Sequence, residues 1–302
     1  MLSDNVMIDF NPASLLLLNG ILALMMFGVS LTLRLDDFRR VIREPAAPVI
    51  GLVAQFLLLP ALTCLVTWWL RVDPSLALGM ILVASCPGGS FSNVMTWLGR
   101  ANVAVSVSMT AVSSLAAIVL MPLNFGFYGW LNPYTRQLLV DISIDPVRLL
   151  LLVVAVLGVP LVVGMTVGQR YPALARRSEK PLRVFSLLVL LGFAGIAFGN
   201  NLALFVEHFH TFFWLVVGHN ILALLTGNLA ARAARLPVAD RRAVTMEVGI
   251  QNSGLGLVVL FTFFPQAGGM MMITAFWGVW HLVSGLALAT IWSRGHFPHD
   301  RT

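Results

Sequence analysis

The sequence predicts an all-α polytopic membrane protein, and three observations support this. Of 302 residues, 58% are hydrophobic and only 11% are charged, and the mean hydropathy is +0.88. A soluble domain has about 25% charged residues, so this chain has too few for a water-exposed surface. The apolar residues form runs of about 20, the length that crosses a bilayer, and basic residues cluster between alternate runs.

Nine apolar stretches are long enough to span a membrane as helices. Their approximate ranges are 12–33, 46–70, 75–98, 102–124, 147–169, 182–203, 211–232, 241–264 and 269–293. The segment before the first stretch contains acids and no Lys or Arg, unlike a signal peptide, so we expect the first stretch to be retained. The longest connection is 125–146, whose Tyr and Trp residues suit a membrane interface.

The distribution of basic residues predicts the orientation of these helices. With the N-terminus outside, 16 of the 19 Lys and Arg residues fall on the inner side. The other three are Arg71, Arg136 and Arg148. Such a split is typical of the positive-inside rule and predicts an N-out, C-in protein; we expect its location to be a bacterial inner membrane. We therefore attribute the net charge of +6 to membrane topology and not to nucleic-acid binding.

The third and eighth stretches are interrupted by polar and helix-breaking residues. The third contains SCPGGSFSN at 85–93, and the eighth contains MEVGIQNSGLG at 246–256. These stretches occupy matching places in two four-helix units, helices 1–4 and 6–9, which run through the membrane in opposite directions. Helix 5 joins the two units. Interrupted helices at matching places in inverted halves indicate a transporter's binding site.

The residues at the interruptions explain how these helices break. Pro87 has no N–H group, and Gly88, Gly89 and Gly249 tolerate non-helical backbone. A break leaves free carbonyls at one half-helix end and free N–H groups at the other, which suit a cation and an anion respectively. Non-helical backbone at this depth must be buried in protein or line a cavity. A simple Pro-Gly kink is the alternative for the first break taken alone.

Glu247 is the best candidate for a carboxylate within the hydrocarbon layer. Burying an ionised side chain there costs on the order of 3 kcal/mol on insertion scales, and a bound cation would offset that cost. Alternatively, Glu247 lies near the inner end of helix 8 and either snorkels to the membrane interface or pairs with Arg241 or Arg242. Gln251 and Asn252 follow, and oxygen-rich sites of carboxylate, amide and carbonyl groups suit hard cations.

Other polar residues within the spans have weaker signals. Ser106 and Thr110 are four residues apart and share a helix face, and Gln55 lies near the middle of helix 2. Taken alone, such side chains usually bond within or between helices.

The histidines and asparagines in the spans point to packing. His219 and His281 lack metal-binding spacing, so a metal enzyme is not expected. We interpret Asn200, Asn201, Asn220 and Asn228 as packing or interface residues.

Five motifs together resemble the bile acid:sodium symporter family. The two longest are CPGGSFSNVMTWLGRANVAVSVSMTAVSS and EVGIQNSGLGLVV, and the others are MMFGVSLTL, VAQFLLLP and VWHLVSG. The resemblance implies two crossing, unwound helices in a core domain that rocks against a panel domain. The core would comprise helices 2–4 and 7–9 (46–124 and 211–293), and the panel helices 1, 5 and 6 (12–33 and 147–203).

The resemblance also implies two sodium sites and a substrate site. The first sodium site would use Ser92, Asn93, Ser106, Thr110 and Glu247. The second would use Gln55, Glu247 and Gln251 with main-chain oxygens of Val248 and Ile250. The substrate would face Ser90, Asn252 and His281. Two Na⁺ ions would be the coupling ions, with no transition metal and no other cofactor.

Two positions depart from the family pattern. Leu282 follows Trp280 and His281 where many members have Asn, and Phe91 stands where a small residue is common in bacterial relatives. Both departures place bile-acid recognition in question and leave the expected sodium ligands unchanged.

We therefore predict a secondary active transporter that couples Na⁺ to the symport of an organic anion by alternating access. The substrate would be bile-acid-like or a small carboxylate such as pantoate or a 2-oxo acid. The alternatives are a proton-coupled carrier in which Glu247 titrates, a non-transporting sensor, and an intramembrane enzyme that uses Glu247 or His281. We predict that the chain is not an enzyme, because it shows no nucleophile–base pair or metal motif.

Overall fold

The computed structural model describes residues 20–294 except 22, 25, 29, 32, 142–145, 201–205, 208 and 265–266. Within these residues the fold is all-helical, and the only β-pairing is one isolated bridge, which confirms the all-α part of the predicted fold class. Five helices are long and apolar enough to cross a membrane, and two shorter apolar helices accompany them. The count of nine spans, the N-out orientation and the inverted repeat stay predictions, and part of the first span lies outside the described residues.

The helices are numbered in chain order. They are α1 (the helical residues described between 20 and 30), α2 (Leu35–Arg43), α3 (Ala46–Trp69), α4 (Pro74–Ser85), α5 (Phe91–Leu98), α6 (Val103–Leu131), α7 (Pro133–Asp141), α8 (Pro146–Val153, Val154–Gly158 and Val159–Arg170 in succession), α9 (Pro172–Asn200), α10 (Phe209–Ala233), α11 (Val238–Gly249), α12 (Ser253–Phe263) and α13 (Gly268–Arg294).

The segment 125–146 is largely helical, so its prediction as a long loop was wrong. α6 continues to Leu131 and α7 begins at Pro133. Asn132 alone makes the turn: its backbone is extended, and its Oδ1 accepts a hydrogen bond from the Tyr134 amide at 3.0 Å. Capping by Asn and a proline at the first helical position are enough to start a new helix.

Both predicted interruptions are present. α4 ends at Ser85 and α5 begins at Phe91, while α11 ends at Gly249 and α12 begins at Ser253. The two breaks cross each other, because Gly88 and Gln251 form an antiparallel bridge. We call this pairing the crossing. Its hydrogen bonds run from Gly89 N to Ile250 O at 2.7 Å and from Asn252 N to Pro87 O at 2.8 Å.

The two glycines leave room for this close approach. A Cβ on Gly88 would lie 2.1 Å from the Glu247 Oε1, and a Cβ on Gly89 would lie 2.9 Å from the Gln251 carbonyl oxygen. Both distances are shorter than side chains allow. The helix break therefore places Glu247 and the backbone of Gln251 directly against the Pro87–Gly89 segment.

α3 contains a π-helical turn, Ala54–Leu58, just before Pro60. Pro60 has no N–H to donate to the Phe56 carbonyl, which accepts instead from Asn124 Nδ2 at 2.7 Å. α8 has the same arrangement, with a π turn at Val154–Gly158 before Pro160. The turn in α3 matters for the site, because Gln55 lies within it.

Candidate functional site

Glu247 lies in the last turn of α11 and is completely buried. Its Oε1 accepts a hydrogen bond from Thr110 Oγ1 at 2.8 Å, and its Oε2 accepts from Ser92 Oγ and lies 3.2 Å from Ser106 Oγ. Among the described residues no cation pairs with this carboxylate. Arg242 instead donates to the Gly99 carbonyl at 3.2 Å, so the alternative of an Arg242–Glu247 ion pair is not observed.

All five residues predicted for the first sodium site lie in one hydrogen-bonded group. Besides the contacts to Glu247, Asn93 Oδ1 accepts from Ser106 Oγ at 2.8 Å and lies 3.3 Å from Thr110 Oγ1. We call this group, drawn from α5, α6 and α11, the Glu247 cluster: Ser92, Asn93, Ser106, Thr110 and Glu247. It combines carboxylate, amide and hydroxyl oxygens, the donor set that hard cations prefer.

Thr96 is a member of this network that sequence reasoning missed. It is fully buried on α5, and its Oγ1 donates to Ser106 Oγ at 3.2 Å. The signal that could have found it is spacing: Thr96 comes four residues after Ser92, so both hydroxyls share one face of α5.

The residues predicted for the second sodium site meet at the crossing but do not form one network with Glu247. Gln55 Nε2 lies 3.3 Å from Gln251 Oε1, and Gln251 Nε2 donates to the Val248 carbonyl at 2.8 Å. The Ile250 carbonyl accepts from Gly89 N, which leaves it one free lone pair. In the described part of the chain, Glu247 makes no hydrogen bond to Gln55 or Gln251.

Gln55 carries an unsatisfied oxygen beside this group. Its Oε1 is buried and has no hydrogen-bond partner among the described residues. Most buried polar atoms in proteins are paired, so each exception needs a reason. A cation bound next to Gln251 would supply a partner for this oxygen.

Two of the three predicted substrate residues adjoin the crossing. Ser90 precedes α5 and is partly exposed. Asn252 precedes α12, where its Oδ1 accepts from the Leu255 amide at 3.1 Å and its Nδ2 lies 3.4 Å from Met26 Sδ on α1. His281 is buried on α13, and within the described residues it makes no side-chain hydrogen bond to the crossing.

Phe91 and Leu282, the two departures from the family pattern, pack in one place. Both are partly buried against an apolar cluster that contains Met95, Met246 and Ile250. Since Ile250 belongs to the break, these side chains form an apolar wall next to the crossing.

The chain is similar in sequence to known proteins of one family. The model of the sodium bile acid symporter family matches residues 20–208. The uncharacterized sodium-dependent transporter YocS of Bacillus subtilis is 30% identical over 275 residues, 90% of this chain and 82% of YocS. The probable sodium/metabolite cotransporter BASS1, chloroplastic, of Arabidopsis thaliana is 31% identical, over 90% of this chain and 66% of BASS1. Human sodium/bile acid cotransporter 4 is 29% identical, over 83% of this chain and 57% of that protein.

Proposed function

Because the chain belongs to the sodium bile acid symporter family, we propose that it imports a small organic anion by sodium-coupled symport and alternating access. The family is one of transporters, not enzymes. The observation that carries the proposal is the buried Glu247 carboxylate, which is surrounded by hydroxyl and amide oxygens with no cationic partner among the described residues. A bound cation would stabilise a buried carboxylate of this kind by offsetting the cost of its charge.

The side chains and carbonyls at the crossing support a proposal of two sodium sites. The Glu247 cluster would hold one Na⁺, because its hydroxyls can rotate and turn oxygen lone pairs towards an ion. The second Na⁺ would use Gln55 Oε1, the Gln251 side chain and the carbonyls of Val248 and Ile250. The two sites share the stretch 247–251, so an ion bound at one site would also fix backbone that contributes ligands to the other.

The substrate would bind beside the crossing, between the proposed core (46–124 and 211–293) and the proposed panel (12–33 and 147–203). The N-termini of α5 and α12 are the positive ends of two helix dipoles, which suit a carboxylate, with Ser90, Asn252 and His281 around it. The apolar wall of Phe91 and Leu282 favours a carboxylate with an apolar portion. Bile-acid-like anions and small carboxylates such as pantoate are both candidates.

The proposal is tested by sodium-dependent thermal unfolding and by uptake into proteoliposomes. At constant ionic strength, replacing choline by Na⁺ should raise the Tm of the purified protein, because a ligand that binds only the native state stabilises it. Glu247→Ala and Gln251→Ala should abolish the sodium effect, whereas Glu44→Ala, at an exposed carboxylate near the start of α3, should retain it.

A screen of organic anions in the presence of Na⁺ would then identify the substrate by a further rise in Tm. Uptake of that anion that continues after full replacement of Na⁺ by choline would contradict sodium coupling. Uptake driven by a pH gradient alone would instead identify a proton-coupled carrier.

A further inference from the structure

The C-terminal end of α11 is held by an unusual set of donors. A helix end leaves its last carbonyls without partners in the helix. Here three successive carbonyls each receive a hydrogen bond from a different source: Val248 O from Gln251 Nε2 at 2.8 Å, Gly249 O from Asn220 Nδ2 at 2.9 Å, and Ile250 O from Gly89 N at 2.7 Å. The break therefore has a defined shape within the part of the chain that the structure describes.

Asn220 is the member of this set that comes from a neighbouring helix. It is fully buried on α10. Its other side-chain atom, Oδ1, accepts a hydrogen bond from Ser284 Oγ on α13. Both polar atoms of the amide are thus used, and its orientation is fixed by α13 on one side and by the helix break on the other. The sequence-based interpretation of Asn220 as a packing residue misses this role.

The bond to Gly249 fixes the peptide group between the two expected carbonyl ligands. The peptide unit that joins Gly249 to Ile250 is planar, and it is held at both ends, because Ile250 N donates to Met246 O at 2.9 Å while Gly249 O accepts from Asn220. With that plane fixed, the Val248 carbonyl before it and the Ile250 carbonyl after it have defined directions.

We propose that Asn220, oriented by Ser284, is a positioning residue for the second sodium site. It does not touch the ion. It sets the directions of the Val248 and Ile250 carbonyls by holding the intervening peptide group. This inference rests on the proposed sodium-coupled function and adds two residues, one on α10 and one on α13, to the machinery of the crossing. Mutation of supporting groups of this kind typically weakens metal affinity by about 10- to 100-fold.

The test measures the apparent Kd for Na⁺ from the rise in Tm on titration with NaCl at constant ionic strength. Asn220→Ala should raise that Kd about 10-fold or more, and Ser284→Ala should raise it about 3- to 10-fold, because it removes one hydrogen bond to the amide. Ser284→Thr keeps the hydroxyl and should restore the wild-type value. If Asn220→Ala does not fold, the comparison of Ser284→Ala with Ser284→Thr provides the test.

Asn228 provides a matched control on the same helix. Its Nδ2 donates to Thr245 Oγ1 at 3.2 Å, so it also joins α10 to α11, but away from the break. Asn228→Ala should lower the sodium-free Tm without changing the Kd for Na⁺. Equal Kd values for the Asn220 and Asn228 variants, or for Ser284→Ala and wild type, would overturn the positioning role. A wild-type protein whose Tm does not respond to Na⁺ would overturn the proposed function instead.

Discussion

The Ser106 hydroxyl has more neighbours than it has protons to donate. It lies 2.8 Å from Asn93 Oδ1 and 3.2 Å from Glu247 Oε2, and it also accepts from Thr96 Oγ1. One proton can serve only one of the two acceptors, and the bond from Thr96 occupies one of its two lone pairs. Thr96 therefore decides which direction remains open for an ion at Ser106.

This arrangement makes Thr96 a determinant of sodium affinity. We expect Thr96→Val, which keeps the shape and removes the hydroxyl, to raise the apparent Kd for Na⁺ about 3- to 10-fold. Thr96→Ser should restore it. Thr67→Val, which removes another fully buried threonine hydroxyl, bonded to Asn132, should change the Tm but not the Kd. Sodium titration followed by thermal unfolding measures both quantities, and equal Kd values for Thr96→Val and wild type would contradict this role.

At the scale of single residues, the sequence analysis picked out the candidate site residues that a local pattern marks. Glu247, Ser92 and the Ser106–Thr110 pair are prominent because carboxylates and spaced hydroxyls are rare in apolar runs. The positions of Thr96 and Asn220 in the network depend on partners from other elements: Asn220 meets Gly249 from 29 residues away, across a helix–helix contact. No local pattern reports the contact of Asn220, which looks like an ordinary packing residue in the sequence, whereas Thr96 is marked only by its spacing from Ser92.

Among the helices, the π turn of α3 links backbone geometry to the second sodium site. The extra residue in a π turn rotates the side chains before it relative to those after it. Gln55 lies inside this turn, and Pro60 and Asn124 support it by leaving the Phe56 carbonyl to a side-chain donor. The orientation of Gln55 towards Gln251 thus depends on the proline that follows it.

Pro60→Ala tests this dependence. The new N–H at position 60 could bond to the Phe56 carbonyl, which would favour a regular α-helix and turn Gln55 away from Gln251. We expect a weaker sodium-dependent rise in Tm, with an apparent Kd raised several-fold. Pro160→Ala makes the same change after the π turn of α8, in the proposed panel, and should leave the Kd unchanged. A normal Kd in Pro60→Ala would show that the turn does not orient Gln55.

The helices also show what sequence can and cannot predict about connections. Both breaks were predicted, because Pro87 with adjacent glycines, and polar residues within an apolar run, are strong local signals. The α6–α7 connection was not, because a single residue, Asn132, makes the turn, while the aromatic residues around it suggested an interfacial loop. Apolar aromatic side chains also occur in lipid-facing helices, so composition alone could not distinguish an interfacial loop from a helix.

For the whole molecule, the proposed stoichiometry predicts electrogenic transport. Two Na⁺ ions with one monoanion carry a net charge of +1 inward in each cycle. An inside-negative potential should therefore drive uptake, by about 2.3 kcal/mol per 100 mV, which corresponds to a roughly 50-fold accumulation ratio. Proteoliposomes with an imposed potassium diffusion potential measure this effect. Uptake that is insensitive to the sign of the potential would indicate one Na⁺ per anion.

The crossing also constrains how the chain is made. Gly88 and Gln251 are paired across about 160 residues of sequence, and ribosomes add roughly 5–20 residues per second. The first broken helix must therefore wait on the order of 10 s or more for its partner to be synthesised. During that time Gly89 N and the Pro87 carbonyl lack the partners that they have in the finished fold. Biogenesis thus has a defined vulnerable interval, in which insertion factors or a shallow position of the first broken helix must protect its exposed peptide groups.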